Sequence, residues 1–333
     1  MKKRLSLLVA AALLPLPLLA GTAPGPGYSK VNGNGTVEET PSAFPFELTL
    51  EGAYVGGGNV KRGERVIRDL EEVHTLARFI YTPRIAVGIL RLGVGWERFS
   101  FDLPDRIGGN STRIIALSYP GPVFGPVPLS RPQIPDTLQS VTATIGLDTR
   151  FSEAILVRFE AQPGFYGTDD LDGDTFNVPF ILGGTYVYSS DLQFIVGVSV
   201  DYERKYPVFP GLGVRWRFGP QWVLDAVMPT PRLVFEATRN LSFYAGASLR
   251  GSTHRTGEGF GDARGDRRLN KAVVSYSEIR TGAGMEWKIT PDIRLTAEGG
   301  YLPYREFDYH RANVRYRPDG GAAYGMFSLR AAF

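Results

Sequence analysis

A chain of 333 residues without a single cysteine cannot carry disulfides, cysteine-ligated zinc or thiol chemistry. Its 37 basic and 34 acidic residues nearly cancel, which excludes a nucleic-acid footprint and a polybasic membrane segment. Forty Gly, 20 Phe and 16 Tyr, with no helical period and no interdomain linker, point to one large β-structure rather than the two domains that length alone suggests.

In chain order, Lys2, Lys3 and Arg4 precede an apolar run, Leu5 to Ala20, that Pro15 and Pro17 interrupt. A basic start, a short apolar core and small residues after it read as a secretory signal peptide, residues 1–23, cleaved between Ala20 and Ala23. The run is too short and too proline-broken for a membrane-spanning helix. Residues 24–45, rich in Gly, Pro, Asn and Thr, read as a flexible periplasmic lead-in. From Phe46 to Phe333 the pattern is alternation. Apolar and polar positions swap with period two through segments near 46–54, 73–82, 86–100, 138–148, 154–163, 176–188 and 193–202. Shorter ones follow near 208–218, 221–228, 232–238 and 241–250, then three more near 278–288, 294–301 and 322–333. Each is a half-buried strand.

The connections form their own pattern. Polar stretches at 56–72, 102–137, 164–175, 203–207, 229–231, 251–271 and 305–321 alternate with tight turns near 83, 151, 190, 219, 240 and 291. Long loops on one side, tight turns on the other and an even strand count are the signature of a transmembrane antiparallel up-and-down β-barrel. The expected fold is therefore all-β, with about 14 strands, or 12 if the short connection at 229–231 conceals a miscounted hairpin. Aromatic residues fall in two groups on the apolar face. Tyr81, Tyr188, Trp216, Trp222, Phe243, Trp287 and Phe333 stand near the tight turns; Tyr54, Phe165, Phe176, Tyr202 and Tyr301 stand near the longer loops. Two girdles are what membrane–water boundaries select. The last strand places Phe327, Leu329 and Phe333 on that face. This ending resembles the C-terminal signal by which the barrel-assembly machinery recognises bacterial outer-membrane barrels.

The other face is charged. Arg78, Arg91, Arg158, Arg215, Arg217, Arg280 and Arg294 alternate inward with Glu160, Glu278 and Glu298, forming either a lumen braced by ion pairs or a selectivity surface. Segment 102–137 is longer than a hairpin loop needs, apolar, and stiffened by prolines. It is expected to fold into the barrel mouth as a constriction, with Arg106, Arg113 and Arg131 meeting anionic groups. No G-x-S-x-G motif occurs and the three histidines lie far apart, so the chain does not read as an enzyme. No cofactor is implied. No metal is expected either: Asp170, Asp172 and Asp174 resemble part of a calcium loop, yet its closing Glu is missing.

The run Pro210-Gly-Leu-Gly-Val-Arg-Trp-Arg-Phe-Gly-Pro-Gln-Trp222, continued through Met228-Pro-Thr-Pro-Arg-Leu-Val-Phe235, resembles an uncharacterised bacterial outer-membrane β-barrel family, domain of unknown function 6268. Leu241 to Gly251, Glu298 to Tyr301, and Arg305-Glu306 carry the resemblance further, over residues 180–333. It implies a barrel and no catalytic residues. The expectation is a monomeric, porin-like barrel for small solutes, or an envelope structural protein, in the outer membrane of a Gram-negative bacterium. Its partners would be membrane lipid, lipopolysaccharide and the assembly machinery. The alternatives are an outer-membrane enzyme acting on lipid or glycan, and a surface binding module using loops 102–137 and 251–271.

Overall fold

The computed structural model describes residues 45–103, 132–168 and 170–333, and in it the alternating stretches are antiparallel strands that close on themselves. In chain order they are β1 (Phe46–Arg62), β2 (Arg65–Tyr81), β3 (Gly88–Asp102), β4 (Thr137–Arg150) and β5 (Ile155–Ala161, continued by Gly164–Gly167). Then come β6 (Phe176–Asn177, continued by Phe180–Val187), β7 (Leu192–Val200), β8 (Val208–Arg217), β9 (Trp222–Val227) and β10 (Arg232–Glu236). The last four are β11 (Leu241–Arg255), β12 (Val273–Lys288), β13 (Ile293–Tyr309) and β14 (Val314–Gly320, continued by Ala322–Ala332). Each pairs with its sequence neighbour, and β14 pairs back onto β1 from Glu47↔Ala332 to Val55↔Tyr324. Phe46 and Phe333 seal the seam by exchanging backbone hydrogen bonds of 3.1 and 2.8 Å. The barrel has 14 strands, so the 12-strand alternative falls. The signal peptide, the lead-in up to residue 44, and Arg106, Arg113 and Arg131 lie outside the described residues.

Two proline positions shape one wall. Pro163 and Pro179 lack an N–H and interrupt β5 and β6 at facing points, yet their carbonyls still accept from Ala143 and Gln162, both at 2.8 Å. The expected polar loops at 56–72 and 305–321 are largely strand instead, whereas 251–271 is strand only as far as Arg255 and then a loop carrying two short 3-10 turns. β1 and β2 continue to a tight reversal at Gly63–Glu64, where Gly63 takes φ +59°. Polar composition misled there because a strand that rises clear of the membrane has water on its outer face. Its inner face still buries Val60, Ile67 and Leu70.

All twelve aromatics of the two predicted girdles are exposed, from Tyr81 at 38% to Tyr202 at 72%. Between them, Leu92, Val94, Val141, Ile145, Phe159, Leu182, Val196 and Leu212 are exposed as well. An apolar belt of that extent would not be left in water; it is a lipid-facing surface.

Inside, the barrel has two tiers. At the loop end the far tips of β5 and β11 meet, with Arg255 opposite Gly167 and the Thr168 N–H donating to the Arg255 carbonyl at 3.2 Å. Strands β6 to β10 are thereby left out of a narrower upper cylinder. That cylinder is solid. Phe99, Phe101, Ile134, Leu138, Tyr276, Phe307, Tyr309 and Tyr316 fill it together with residues of the β1–β2 hairpin and Leu269. At the turn end all 14 strands take part and the interior is polar.

Candidate functional site

The floor of the solid tier is a layer of charge. Fully buried Glu72 receives Arg280 at 3.0 Å and Arg305 at 3.1 Å, and the Tyr276 hydroxyl lies 2.6 Å away. Glu278 takes the same Arg280 at 2.8 Å. Beside them His74 stacks on Phe99 with ring centres 4.3 Å apart, its Nε2 lying 2.9 Å from Glu97 and its Nδ1 3.4 Å from Glu51. Arg250 closes the layer onto Glu51. Charges this dry are held by their opposite neighbours, although Arg280 Nε and Nη1 and Arg305 Nε find no hydrogen-bond partner among the described residues, and together with the aromatic core above they block the lumen on the β1–β4 and β11–β14 side. The described end of the long segment 102–137 joins the block. Ile134 is completely buried, the Gln133 carbonyl accepts from Tyr309 at 2.9 Å, and the Arg264 guanidinium donates to the Pro132 carbonyl at 2.9 Å while lying over the Phe260 ring.

The charged residues singled out from the sequence separate into groups. Arg91 joins Glu160 and Glu47, both at 3.4 Å, while Arg158 makes a forked pair with Asp148 at 2.5 Å. Arg217 pairs with Glu236 at 2.8 Å. Arg78 is buried against the middle of the lumen. Glu278 and Arg280 belong to the charged floor. Arg215, Arg294 and Glu298 line a different space.

That space is a chamber of about 290 Å³ in the turn-end half. Five arginines line it, Arg215, Arg232, Arg250, Arg294 and Arg330, against three carboxylates, Glu51, Asp225 and Glu298. The carboxylates are largely engaged. Glu51 holds Arg250, and Glu298 accepts phenol hydroxyls from Tyr244 and Tyr324, both at 2.6 Å. Asp225 stands across the ladder from both Arg215 and Arg232 and lies 4.0 Å from Arg232. Arg294 reaches Glu286 at 3.5 Å. Among the described residues neither Arg215 nor Arg330 has an ion-pair partner. Register creates the excess: Lys288, Arg294 and Arg330 stand directly opposite one another on β12, β13 and β14. Like charges in that relation repel. Charge that balances over the whole lumen is therefore unbalanced locally.

Above the chamber, on the side away from the solid tier, the wall presents backbone. Gly183, Gly197 and Gly211 are mutual partners across β6, β7 and β8, on the inward phase between Gln193 and Ser199. A Cβ built at any of the three would meet only atoms of the adjacent strands' own backbones, so among the described residues no side chain from across the lumen fills this strip.

Two other candidates are weaker. Ser252 Oγ and His254 Nε2 lie 2.5 Å apart, with Nδ1 3.2 Å from the Gln139 carbonyl. The spaces touching this pair hold only about 10 and 40 Å³, too little for an acyl chain or a sugar ring. Asp172 caps a short 3-10 turn by accepting from the Asp174 N–H at 3.1 Å, and Asp174 pairs with Lys271 at 3.0 Å, so these carboxylates do not converge with Asp170. Among the described residues no cluster of three metal-ligating side chains forms. Sequence reasoning passed over Arg232, Tyr244 and Arg330 as site residues. Arg330 was visible in principle, since the phase of the last strand already sets it opposite Phe327 and Leu329.

An exposed apolar belt between aromatic girdles, tight turns at one end, long hairpins at the other and a polar lumen define a transmembrane β-barrel of the outer-membrane type. Residues 154–316, from the start of β5 into β14, match the model of a domain of unknown function (DUF6268), the family that the central motifs resemble. No curated protein sequence matches the chain. Among solved structures it is similar to the P. putida toluene transporter TodX, at 10% identity and a TM-score of 0.47 over 92% of this chain and 94% of that one. It is similar also to the Ralstonia pickettii toluene transporter TbuX, at 10% identity and 0.45 over 88% and 90%. The NanC porin follows at 9% identity and 0.37, over 86% of this chain and all of that one.

Proposed function

We propose that this chain is a non-catalytic channel of the Gram-negative outer membrane, working as a monomer, through which small hydrophilic solutes pass. The supporting observation is the contrast between the two ends of the lumen. The loop-end tier is packed and charge-locked on the β1–β4 and β11–β14 side, whereas the turn-end half keeps a polar chamber of about 290 Å³, walled by β8–β14 and β1, and the strip on β6–β8 is bare glycine. A solute would leave the chamber along Gly183, Gly197 and Gly211, where bare backbone keeps the path wide. Tight turns face the periplasm and the β1–β2, β11–β12 and β13–β14 hairpins face outward in this reading. The lumen-facing Ser252–His254 pair has no room for lipid or glycan, which weighs against the enzymatic alternative.

The test is single-channel recording of the purified barrel in a planar bilayer. Gly197→Phe and Gly211→Leu should reduce conductance severalfold while heat-modifiable gel mobility, the mark of a folded barrel, is kept. A parent protein that inserts but stays silent, or glycine variants that conduct like the parent, would refute the proposed path.

A further inference from the structure

We infer that the turn-end chamber is a binding site for a small oxyanion, a carboxylate or phosphate carried on a hydrophilic solute, with Arg215 and Arg330 as its principal contacts. Three observations converge on this. The first is stoichiometric: five guanidinium groups face three carboxylates, Glu51 holds Arg250, Asp225 stands against Arg232, Glu298 accepts phenol hydroxyls and Arg294 turns to Glu286, so among the described residues the guanidinium groups of Arg215 and Arg330 have no ion-pair partner. A guanidinium presents its donors as a planar fork that matches a carboxylate or phosphate edge.

The second is placement. Arg294 and Arg330 stand directly opposite each other, and the one carboxylate beside them, Glu286, is 3.5 Å from Arg294, so two facing guanidinium groups meet a single anion and the row still favours a second. Bulk counterions at a fully hydrated surface would supply it. Here the basic groups line a walled chamber, where the field of each charge is screened less than in open water. The third is the rest of the lining. Ser248, Thr296 and Ser328 offer hydroxyls beside the arginines, and the Ser248 hydroxyl is buried with no hydrogen-bond partner in the structure. Such groups can both donate to an oxyanion and accept from a hydroxyl on the same molecule. A cation finds poorer conditions, because both oxygens of Glu298 accept phenol hydroxyls and Glu51 is held by Arg250 beside His74.

The site deepens the channel reading and rests on it for its biological sense, but its binding is measurable without any current. Isothermal titration calorimetry of the detergent-solubilised full barrel would use three probes of stated chemistry: gluconate, inorganic phosphate and neutral glucose. Gluconate, phosphate or both should bind measurably and glucose should not. Arg330→Gln and Arg215→Gln should each weaken the binding about ten- to hundredfold, the loss of a hydrogen bond to a charged partner. Arg330→Lys should restore part of it. Arg217→Gln, on the same strand as Arg215 but paired with Glu236, should leave it unchanged, and heat-modifiable mobility reports that each variant is folded. Binding of gluconate but not phosphate assigns the carboxylate, and the reverse assigns the phosphate. Glucose binding as well as gluconate, anion affinity untouched in folded Arg215 and Arg330 variants, or no anion binding at all would overturn the site. A barrel that binds anions but never conducts would retain the site and remove the channel; one that conducts without binding would do the opposite.

Discussion

Replacing Val196 by Arg separates a membrane barrel from a soluble one by magnitude. Val196 is the fifth of the nine residues of β7, about 14 Å along the strand from its turn end at ~3.4 Å per residue, and strand tilt lowers its height above the inner boundary. An apolar band about 25 Å tall therefore has Val196 close to its middle. The side chain is 56% exposed and neighbours Leu212, which is 72% exposed, so nothing in the protein would shelter a guanidinium. In lipid the substitution should cost about 2–4 kcal/mol, roughly thirtyfold or more in the folding equilibrium. On a soluble protein the same exposed change would stay within about 0.5 kcal/mol. Ser199→Arg is the matched control, three residues further on and facing the polar lumen. Urea titration of folding into lipid vesicles, read by heat-modifiable mobility, gives both values. Equal costs for the two variants would refute the facing of β7 and the lipid belt with it.

Glu72→Gln should destabilise the barrel by about 3–5 kcal/mol in denaturant titration, because Arg280 and Arg305 would lose a fully buried counter-charge; a cost under 1 kcal/mol would mean the charged floor is hydrated rather than dry. Ile134→Ala should cost about 2–5 kcal/mol by removing methyl groups from the packed upper tier, and wild-type stability would show that the end of segment 102–137 does not dock there. Deleting Phe333 removes both backbone bonds to Phe46 at the seam, each of about 1 kcal/mol. The folded fraction recovered from outer membranes should fall while export across the inner membrane continues, and undiminished levels would argue that closure does not depend on this residue.

The alternation from Phe46 to Phe333 determined the wall by itself. A strand that separates lipid from water must put apolar side chains on one face at every second position, so facing, strand number and both girdles could be counted along the chain. Ends of strands were harder. The sequence from Gly56 to Arg65 reads as a loop because strands that leave the bilayer have polar outer faces, and only the ladder between β1 and β2 distinguishes such a hairpin from a loop. Alternation gives the charges an inward phase, yet phase does not say which charge meets which. Arg215 and Asp225 are cross-strand partners without an ion pair, whereas Arg250 finds Glu51 nearly two hundred residues away. Lys288, Arg294 and Arg330 share a row only because the β12–β13–β14 register places them there. The same holds for the glycines at 183, 197 and 211, unremarkable singly and a continuous strip once β6, β7 and β8 pair. Periodicity is a local property that one strand can display alone. Charge balance, packing and the open side of the lumen depend on register between strands and on closure of the barrel, and these the tertiary structure decided.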